Sequence, residues 1–372
     1  MRSEQVSKIT LIIDSDYNEN VLELLPSFGI LDFYSTVSRQ NFLRRAIRFP
    51  NPFAEGYMVL SRRSDIFRFY VPNAYEKSVL SYVSENLALK TSGNGSLFAE
   101  NAEVFVKNQK LYDENLLKKL PPHEENNSFD YNLVKAIIQR GSADAISKNV
   151  LEMGYGVPAV CFGEGIGLRQ KLGLLRIIVP AGKEIMFFVV SPSNTRPLID
   201  VVRKSAQLDT PGQGVILVGG VRAINVNIRI HIETQRQVAT MDQIINSIDV
   251  MHGSTDWRSA AKSAKTILKN SGKYSNFTLI AEEESLEETI QTSLATGVGG
   301  ATSINYNGHF YDEKEKEVRS YQNKEGCQMI VREEKKNGVL EAINESGFYG
   351  GKNKGILEIA NVDYFYISGK VD

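Results

Sequence analysis

The stretch of the chain whose chemistry is easiest to interpret contains two glycines separated by one residue. The stretch Thr210–Ile224 has the sequence Thr-Pro-Gly-Gln-Gly-Val-Ile-Leu-Val-Gly-Gly-Val-Arg-Ala-Ile. Apolar residues at helical spacing precede it in residues 196–208, and the apolar run Val215–Val218 follows it. Glycine lets backbone N–H groups approach an anion closely, so a helix that leads into a Gly-x-Gly turn and a strand is typical of phosphate binding. We therefore predict an anion-binding turn at Gly212, Gln213 and Gly214.

A second glycine-rich stretch, with lysines, lies upstream of this turn. It runs Gly163-Glu-Gly-Ile-Gly-Leu-Arg-Gln-Lys171 and is followed by Lys183. Lysine ammonium groups offset the charge of a phosphate, and such charge-assisted hydrogen bonds are the strong ones. This stretch contains a Gly-x-Gly-x-Gly pattern, but no helical pattern follows it and no acidic residue is placed for a ribose, which argues against a dinucleotide fold.

The elements that would position these residues occur in the same order three times. Each copy has a strand, a helix, two strands separated by a connection, a second helix, a glycine turn and a last strand. Thr91, Gly93, Gly95 and Leu97 align with Thr210, Gly212, Gly214 and Ile216, and residues 100–105 align with residues 360–365. Repetition of this kind takes precedence over any single motif. It predicts units at residues 1–106, 129–235 and 274–372, joined by a linker at 107–128 and a helical connector at 236–273.

The middle unit resembles a known family. The residues Asn132–Gly141, Gly163–Lys171, Lys183 and Thr210–Gly214 resemble the PII nitrogen-regulatory signalling proteins, and the resemblance covers residues 129–232 well. The first and third units follow it in outline. The resemblance implies a ferredoxin-like β-α-β-β-α-β fold for each unit. Because members of that family assemble as trimers, the expected fold class is α+β, with three tandem ferredoxin-like units that form an intramolecular pseudo-trimer and a monomeric chain.

The resemblance also implies a ligand and the residues that would hold it. PII proteins bind adenine nucleotides in clefts between units, and Gln170 matches the family's glutamine beside the nucleotide. The family's lysine after the second glycine is replaced by Ser96, Val215 and Ile356 in the three units. The expected effector is therefore an adenine nucleotide or a related small molecule, and no cofactor is assigned. The candidate ligand-binding residues are Gly163, Gly165, Gly167, Gln170, Lys171, Lys183, Gly212, Gln213, Gly214, Gly93 and Gly95.

A long arginine-rich connection, residues 38–65, is the expected contact with a regulated protein. It is interrupted by Pro50 and Pro52. The resemblance implies a target such as a membrane transporter or an enzyme of nitrogen metabolism. The candidate partner-contacting residues are Arg39, Arg44, Arg45, Arg48 and Tyr57. The alternative function is a scaffold or interaction protein whose degenerate clefts bind nothing.

Composition narrows the remaining function classes. The 372 residues are 42% hydrophobic and 23% charged, with a net charge of −1, so neither a general nucleic-acid binder nor a membrane-surface binder is expected. Two cysteines, no leader-like start and short apolar runs predict a cytoplasmic protein that is not an integral membrane protein. The four histidines are scattered without metal spacing and are expected to be solvated. No catalytic constellation is present in the sequence, so an enzyme is not expected.

Overall fold

The protein is described from a computed structural model. It covers residues 3–47, 55–89, 95–106, 109–122, 129–166, 182–228, 273–282, 286–349 and 355–367. The strands are β1 Ser3–Asp14, β2 Asp32–Ile47, β3 Glu55–Pro72, β4 Gly95–Val106, β5 Phe129–Gln139, β6 Ala159–Ile166, β7 Gly182–Val190, β8 Gly214–Asn225, β9 Tyr274–Glu282, β10 Ala301–Asp312, β11 Glu317–Arg332, β12 Ile356–Val362 and β13 Tyr364–Ile367. The helices are α1 Asn18–Ser27, α2 Glu76–Asn86, α3 Glu114–Leu117, α4 Ala143–Glu152, α5 Pro192–Ser205, α6 Glu287–Ala295 and α7 Lys336–Glu345.

Local sequence explains these elements. In β1, Ile9, Leu11 and Ile13 alternate with Thr10 and Ile12, so one set faces the helices and the other faces the opposite side of the sheet.

Helix α5 has its buried apolar residues at helical spacing. It begins at Pro192, whose missing N–H costs nothing in the first turn. Leu198, Ile199 and Val202 form its buried face.

All thirteen described strands belong to one antiparallel sheet. Its order is β10-β11-β9-β12-β4-β1-β3-β2-β6-β7-β5-β8-β13, and β10 also pairs with β2 and β6 while β4 also pairs with β8. These additional pairings close the sheet on itself. We refer to β1–β4, β5–β8 and β9–β12 as the first, second and third segments.

The expected fold class, α+β with three ferredoxin-like units in an intramolecular pseudo-trimer, is wrong. Within each segment the elements still follow one another as strand, helix, two strands, helix and strand. The strands of the three segments nevertheless merge into a single antiparallel sheet in which strand clearly exceeds helix, so the chain is mostly β. The physical reason is that the outer strands of each segment continue their backbone hydrogen bonds into the next segment, as β4 does with β12.

The apolar core is divided by the sheet. Three clusters lie between the sheet and the helices, one for each segment. The fourth lies on the opposite face and contains residues of all three segments, among them Ile12, Ile137 and Ile280. The face shared by the three segments is therefore the centre of the molecule.

The arginine-rich connection at residues 38–65 is strand in the parts that the structure describes. Its described parts belong to β2 and β3, which pair continuously from Tyr34 opposite Arg68 to Ile47 opposite Glu55. The result is a long hairpin, which we call the β2–β3 hairpin. Among the described residues, no helix combines the length and the hydropathy needed to cross a membrane.

Candidate functional site

Three predicted ligand-binding residues of the second segment lie along one line across the sheet. Gly163 in β6 is opposite Lys183 in β7, and Lys183 is opposite Gln139 in β5. The Gln139 side-chain amide then donates a 2.7 Å hydrogen bond to the carbonyl oxygen of Gly212. The structure therefore brings Gly163, Lys183 and the 212–214 turn to the same end of the four strands. We call this group the Lys183 row.

Lys183 is the charged group of this row. It is half-buried, and burial lowers the pKa of its ammonium below the ordinary value. No carboxylate of the described chain lies within ion-pair distance of it. A partly desolvated cation without a carboxylate partner favours an anionic ligand.

The third segment adjoins this row. Gly165 is opposite Thr302 of β10, and a Cβ on Gly163 would lie only 2.6 Å from the carbonyl oxygen of Ser303. Gly163 therefore has a structural reason to be glycine, namely the close approach of β10. The same approach places the Lys183 row beside a junction between two segments.

The glycine at the start of β8 also has a structural reason. A Cβ on Gly214 would lie 2.2 Å from the carbonyl oxygen of Ile137, and a Cβ on Gly95 would lie 2.1 Å from that of Ile12. The two glycines thus occupy equivalent positions, as the alignment predicts. Gly212 differs from them because it is exposed and has a φ of 82°, a conformation that favours glycine. Gly212 and Gln213 are the members of the turn that can reach a ligand.

The other predicted ligand-binding residues are not part of this group. Gly95 begins β4 and lies beside the far end of β8, where Ser96 accepts a hydrogen bond from the backbone N–H of Asn227. Gly93, Gly167, Gln170 and Lys171 lie outside the described residues.

Arg39, predicted to contact a partner, is engaged within the chain. Its guanidinium lies 2.9 Å from a carboxylate oxygen of Asp144 and 3.1 Å from one of Glu184. Glu184 is buried and also accepts hydrogen bonds of 2.9 Å from the backbone N–H groups of Gly141 and Ala143, at the start of α4. Glu184 follows Lys183 in the sequence, so Arg39 ties the β2–β3 hairpin to the strand that carries the Lys183 row.

The remaining partner-contact candidates lie towards the far end of the hairpin. Arg44 is opposite Met58, and Arg45 is opposite Tyr57. All four side chains are exposed. Arg48 lies outside the described residues.

A second group of functional candidates was missed by sequence reasoning. Buried polar side chains of the three segments meet on the shared face of the sheet, and we call them the central cluster. In the first segment, Thr10 is opposite Arg68 and Phe98. In the second segment, Lys135 is opposite Phe187 and Leu217. In the third segment, Thr278 is opposite Gln328 and Glu358. Lys8 and Glu100 stand in the adjacent position of the first segment. The available signal was a charged residue within an apolar strand, such as Lys135 within residues 133–138.

Charges in the central cluster are unevenly paired. The Lys8 ammonium lies 2.6 Å from Glu358 and 3.0 Å from Glu100. Burial alone would lower the pKa of Lys8, but these two carboxylates raise it well above its usual range. Lys135 is compensated less: burial and the nearby cations Lys8 and Arg68 lower its pKa to about 8, although Glu100 and Glu358 act in the opposite direction.

The central cluster surrounds a small cavity. Its volume is about 10 Å³, close to the minimum that one water molecule needs. A nucleotide cannot enter a space of this size. The cavity and the Lys183 row are therefore separate candidate sites for ligands of different size.

Comparison of the chain with protein-family models, curated proteins and solved structures gives no match. Within the described residues, no group of three or more His, Cys, Asp or Glu side chains is placed to hold a metal ion. The function of the chain is therefore inferred from its geometry and electrostatics.

Proposed function

We propose that this chain is a regulatory protein of the PII-like signalling type. In this proposal it binds a small anionic effector, an adenine nucleotide or a related molecule, at the Lys183 row. Occupancy of the row changes how the β2–β3 hairpin engages a partner protein. The observation that carries the proposal is the half-buried Lys183, which has no carboxylate partner in the described chain and is held between Gly163 and Gln139.

The 212–214 turn supports the choice of an anion. Gln139 fixes Gly212 through a 2.7 Å hydrogen bond, so the turn is oriented before a ligand arrives. Backbone N–H groups of a glycine turn and a lysine ammonium are the donors that phosphate groups use in proteins. A preorganised site of this kind avoids part of the entropic cost of binding.

The link between Arg39 and Glu184 supports a coupling to the hairpin. Lys183 precedes Glu184 in β7, so an anion beside Lys183 would change the electrostatic potential at Glu184. The Glu184 carboxylate contacts both Arg39 and the start of α4. A ligand can shift an equilibrium only if it interacts differently with the two states. Here the difference would arise from the strength of the contact between Arg39 and Glu184 when the neighbouring charge changes.

The first experiment is a binding titration of the full chain with ATP, ADP, AMP, cyclic AMP and 2-oxoglutarate, followed by thermal shift and calorimetry. A ligand that binds the folded state raises the melting temperature by mass action. Lys183→Ala should weaken binding by roughly ten- to a hundredfold, because a hydrogen bond to a charged group contributes about 1.5–3 kcal/mol.

The matched control is Lys204→Ala, which removes an exposed lysine of α5 and should leave affinity unchanged. Gly214→Val is unsuitable as a binding test, because its side chain would collide with the Ile137 carbonyl and disturb the fold. If none of the five ligands binds, or if Lys183→Ala binds like the parent, the scaffold alternative with unoccupied clefts is favoured instead.

A further inference from the structure

We propose that the central cluster binds a single small anion, chloride in the cell, in the cavity between Lys135 and Arg68. This site is distinct from the Lys183 row and from the effector proposed there. Five charged side chains line the cavity, those of Lys8, Arg68, Lys135, Glu100 and Glu358.

The first step is the uneven pairing of these charges. Lys8 takes both carboxylates, at 2.6 and 3.0 Å. In the part of the chain that the structure describes, no carboxylate oxygen lies within 4.0 Å of the Lys135 ammonium or the Arg68 guanidinium. Three cations and two carboxylates leave one positive charge in excess around the cavity.

The second step is the weakness of the other contacts that Lys135 and Arg68 make. The Lys135 ammonium has one hydrogen bond, of 3.5 Å, to the side-chain oxygen of Gln328. Arg68 donates a 3.2 Å hydrogen bond to the Thr36 hydroxyl. Both cations also lie over the ring of Phe187, at 5.4 and 5.5 Å from its centroid. Ring contacts offset part of the desolvation cost but leave donors on both cations for an anion.

The third step is the size and chemistry of the cavity. A volume of about 10 Å³ is close to the space of one water molecule, so a single monatomic ion is the largest anion to consider and polyatomic anions are excluded. The hydroxyls of Thr10 and Thr278 line the same space and can donate to a halide. A buried ammonium and a buried guanidinium that contact no carboxylate of the described chain favour a counter-ion over a neutral water.

Protonation of Lys135 should control this site. Glu100 and Glu358 hold Lys8 in its charged form by raising its pKa, whereas no carboxylate contacts the Lys135 ammonium in the described chain. The excess charge around the cavity therefore disappears when Lys135 loses its proton, at a pKa of about 8. A bound anion raises that pKa, so halide affinity should fall as the pH rises above about 8.

The test compares sodium chloride, sodium bromide and sodium gluconate at constant ionic strength, with the melting temperature of the full chain as readout. We expect saturable stabilisation of about 2 °C or more by the two halides over gluconate at pH 7, and its loss at pH 10. Lys135→Met should abolish the difference between halide and gluconate, whereas Lys204→Met, which removes an exposed lysine of α5 outside both the cavity and the Lys183 row, should keep it.

A second measurement does not depend on a variant that folds. Crystals of the parent protein in bromide should give an anomalous peak in the cavity, within hydrogen-bond distance of the Lys135 ammonium. The proposal is overturned if the salts stabilise equally at equal ionic strength, if Lys135→Met keeps the halide effect, or if the cavity holds only water in bromide.

Discussion

His309 is a histidine enclosed by partners that prefer its neutral form. One ring nitrogen lies 2.9 Å from the Ser35 hydroxyl and the other 2.7 Å from the Ser320 hydroxyl. The ring stacks on Phe33 with centroids 5.0 Å apart. Burial, together with the nearby Lys324, lowers its pKa to about 4, although Asp65 acts in the opposite direction. His309 was expected to be solvated, and that expectation is wrong; the other three histidines lie outside the described residues.

His309 should make the fold sensitive to acid. The unfolded chain takes up a proton near pH 6.5 and the folded chain only near pH 4, so stability from this residue is complete above pH 6.5 and is lost as the pH falls to 4. The loss is about 3 kcal/mol at most, from the size of the pKa difference. Urea unfolding at pH 7 and pH 4.5 should show a smaller decrease for His309→Gln than for the parent. Equal decreases would contradict this prediction.

Several residue types were predictable and their roles were not. Cys161 was expected in the core, and it is fully buried, with burial raising the pKa of its thiol to about 11. In the sequence, Lys135 is a single charged residue within an apolar strand, a pattern that does not by itself indicate a ligand site. Its significance arises from Arg68 and Glu358, which are distant in sequence, and only the folded chain places them together.

At the scale of elements, the β2–β3 hairpin depends on its connection to α4. Arg39 joins the hairpin to Asp144 and Glu184, and Asn41 donates hydrogen bonds to Asp144 and Ser147. These contacts hold a hairpin whose far end extends beyond the rest of the first segment.

Arg39→Met should loosen this hairpin. It leaves the buried Glu184 carboxylate without its cation, and we expect a loss of about 1–3 kcal/mol because Arg39 itself is partly exposed. Adding Glu184→Gln to this variant should recover part of the loss, which a double-mutant cycle measured by urea unfolding would show. Coupling between the two sites below about 0.5 kcal/mol would mean that the pair contributes little.

Amide hydrogen exchange provides an independent check of the same element. Exchange should accelerate in the far part of β2 and β3 in Arg39→Met while it stays unchanged in β9 and β11. Lys148→Met, which removes an exposed ion pair with Glu152 on the same helix, is the matched control. Uniform acceleration across all strands would show a global loss of stability instead of a local one.

Sequence periodicity was sufficient for most individual elements. The strand at residues 9–13 and the helix at residues 143–153 correspond to β1 and α4, because each carries an apolar face of the correct period. Residues 38–65 were predicted as a loop because they are rich in arginine and contain two prolines. Their strand conformation is fixed by backbone pairing between β2 and β3, which residue types do not encode.

At the scale of the whole molecule, the three segments are joined through their outer strands and their charges. β4 pairs with β12 and β8, β2 pairs with β6 and β10, and Arg222 of the second segment forms an ion pair with Glu76 of the first. Outer strands of all three segments have the same alternation, so a single sequence does not specify which of them become neighbours. This is why the continuous sheet could not be predicted and the separate units were expected in its place.

Glu358 tests whether this sheet behaves as one cooperative unit. It is buried in β12 and accepts hydrogen bonds from the Lys8 ammonium at 2.6 Å and from the Tyr70 hydroxyl at 2.8 Å, both in the first segment. Glu358→Gln removes the charge that offsets Lys8 and should cost about 3 kcal/mol, in the range for breaking a buried pair. Because the strands form one sheet, amides of β5 and β7, which do not pair with β12, should lose the same free energy of protection as those of β9. Glu341→Gln, at an exposed position of α7, should change neither by more than about 0.5 kcal/mol. A loss confined to β1 and β12 would mean that the segments unfold separately despite their shared hydrogen bonds.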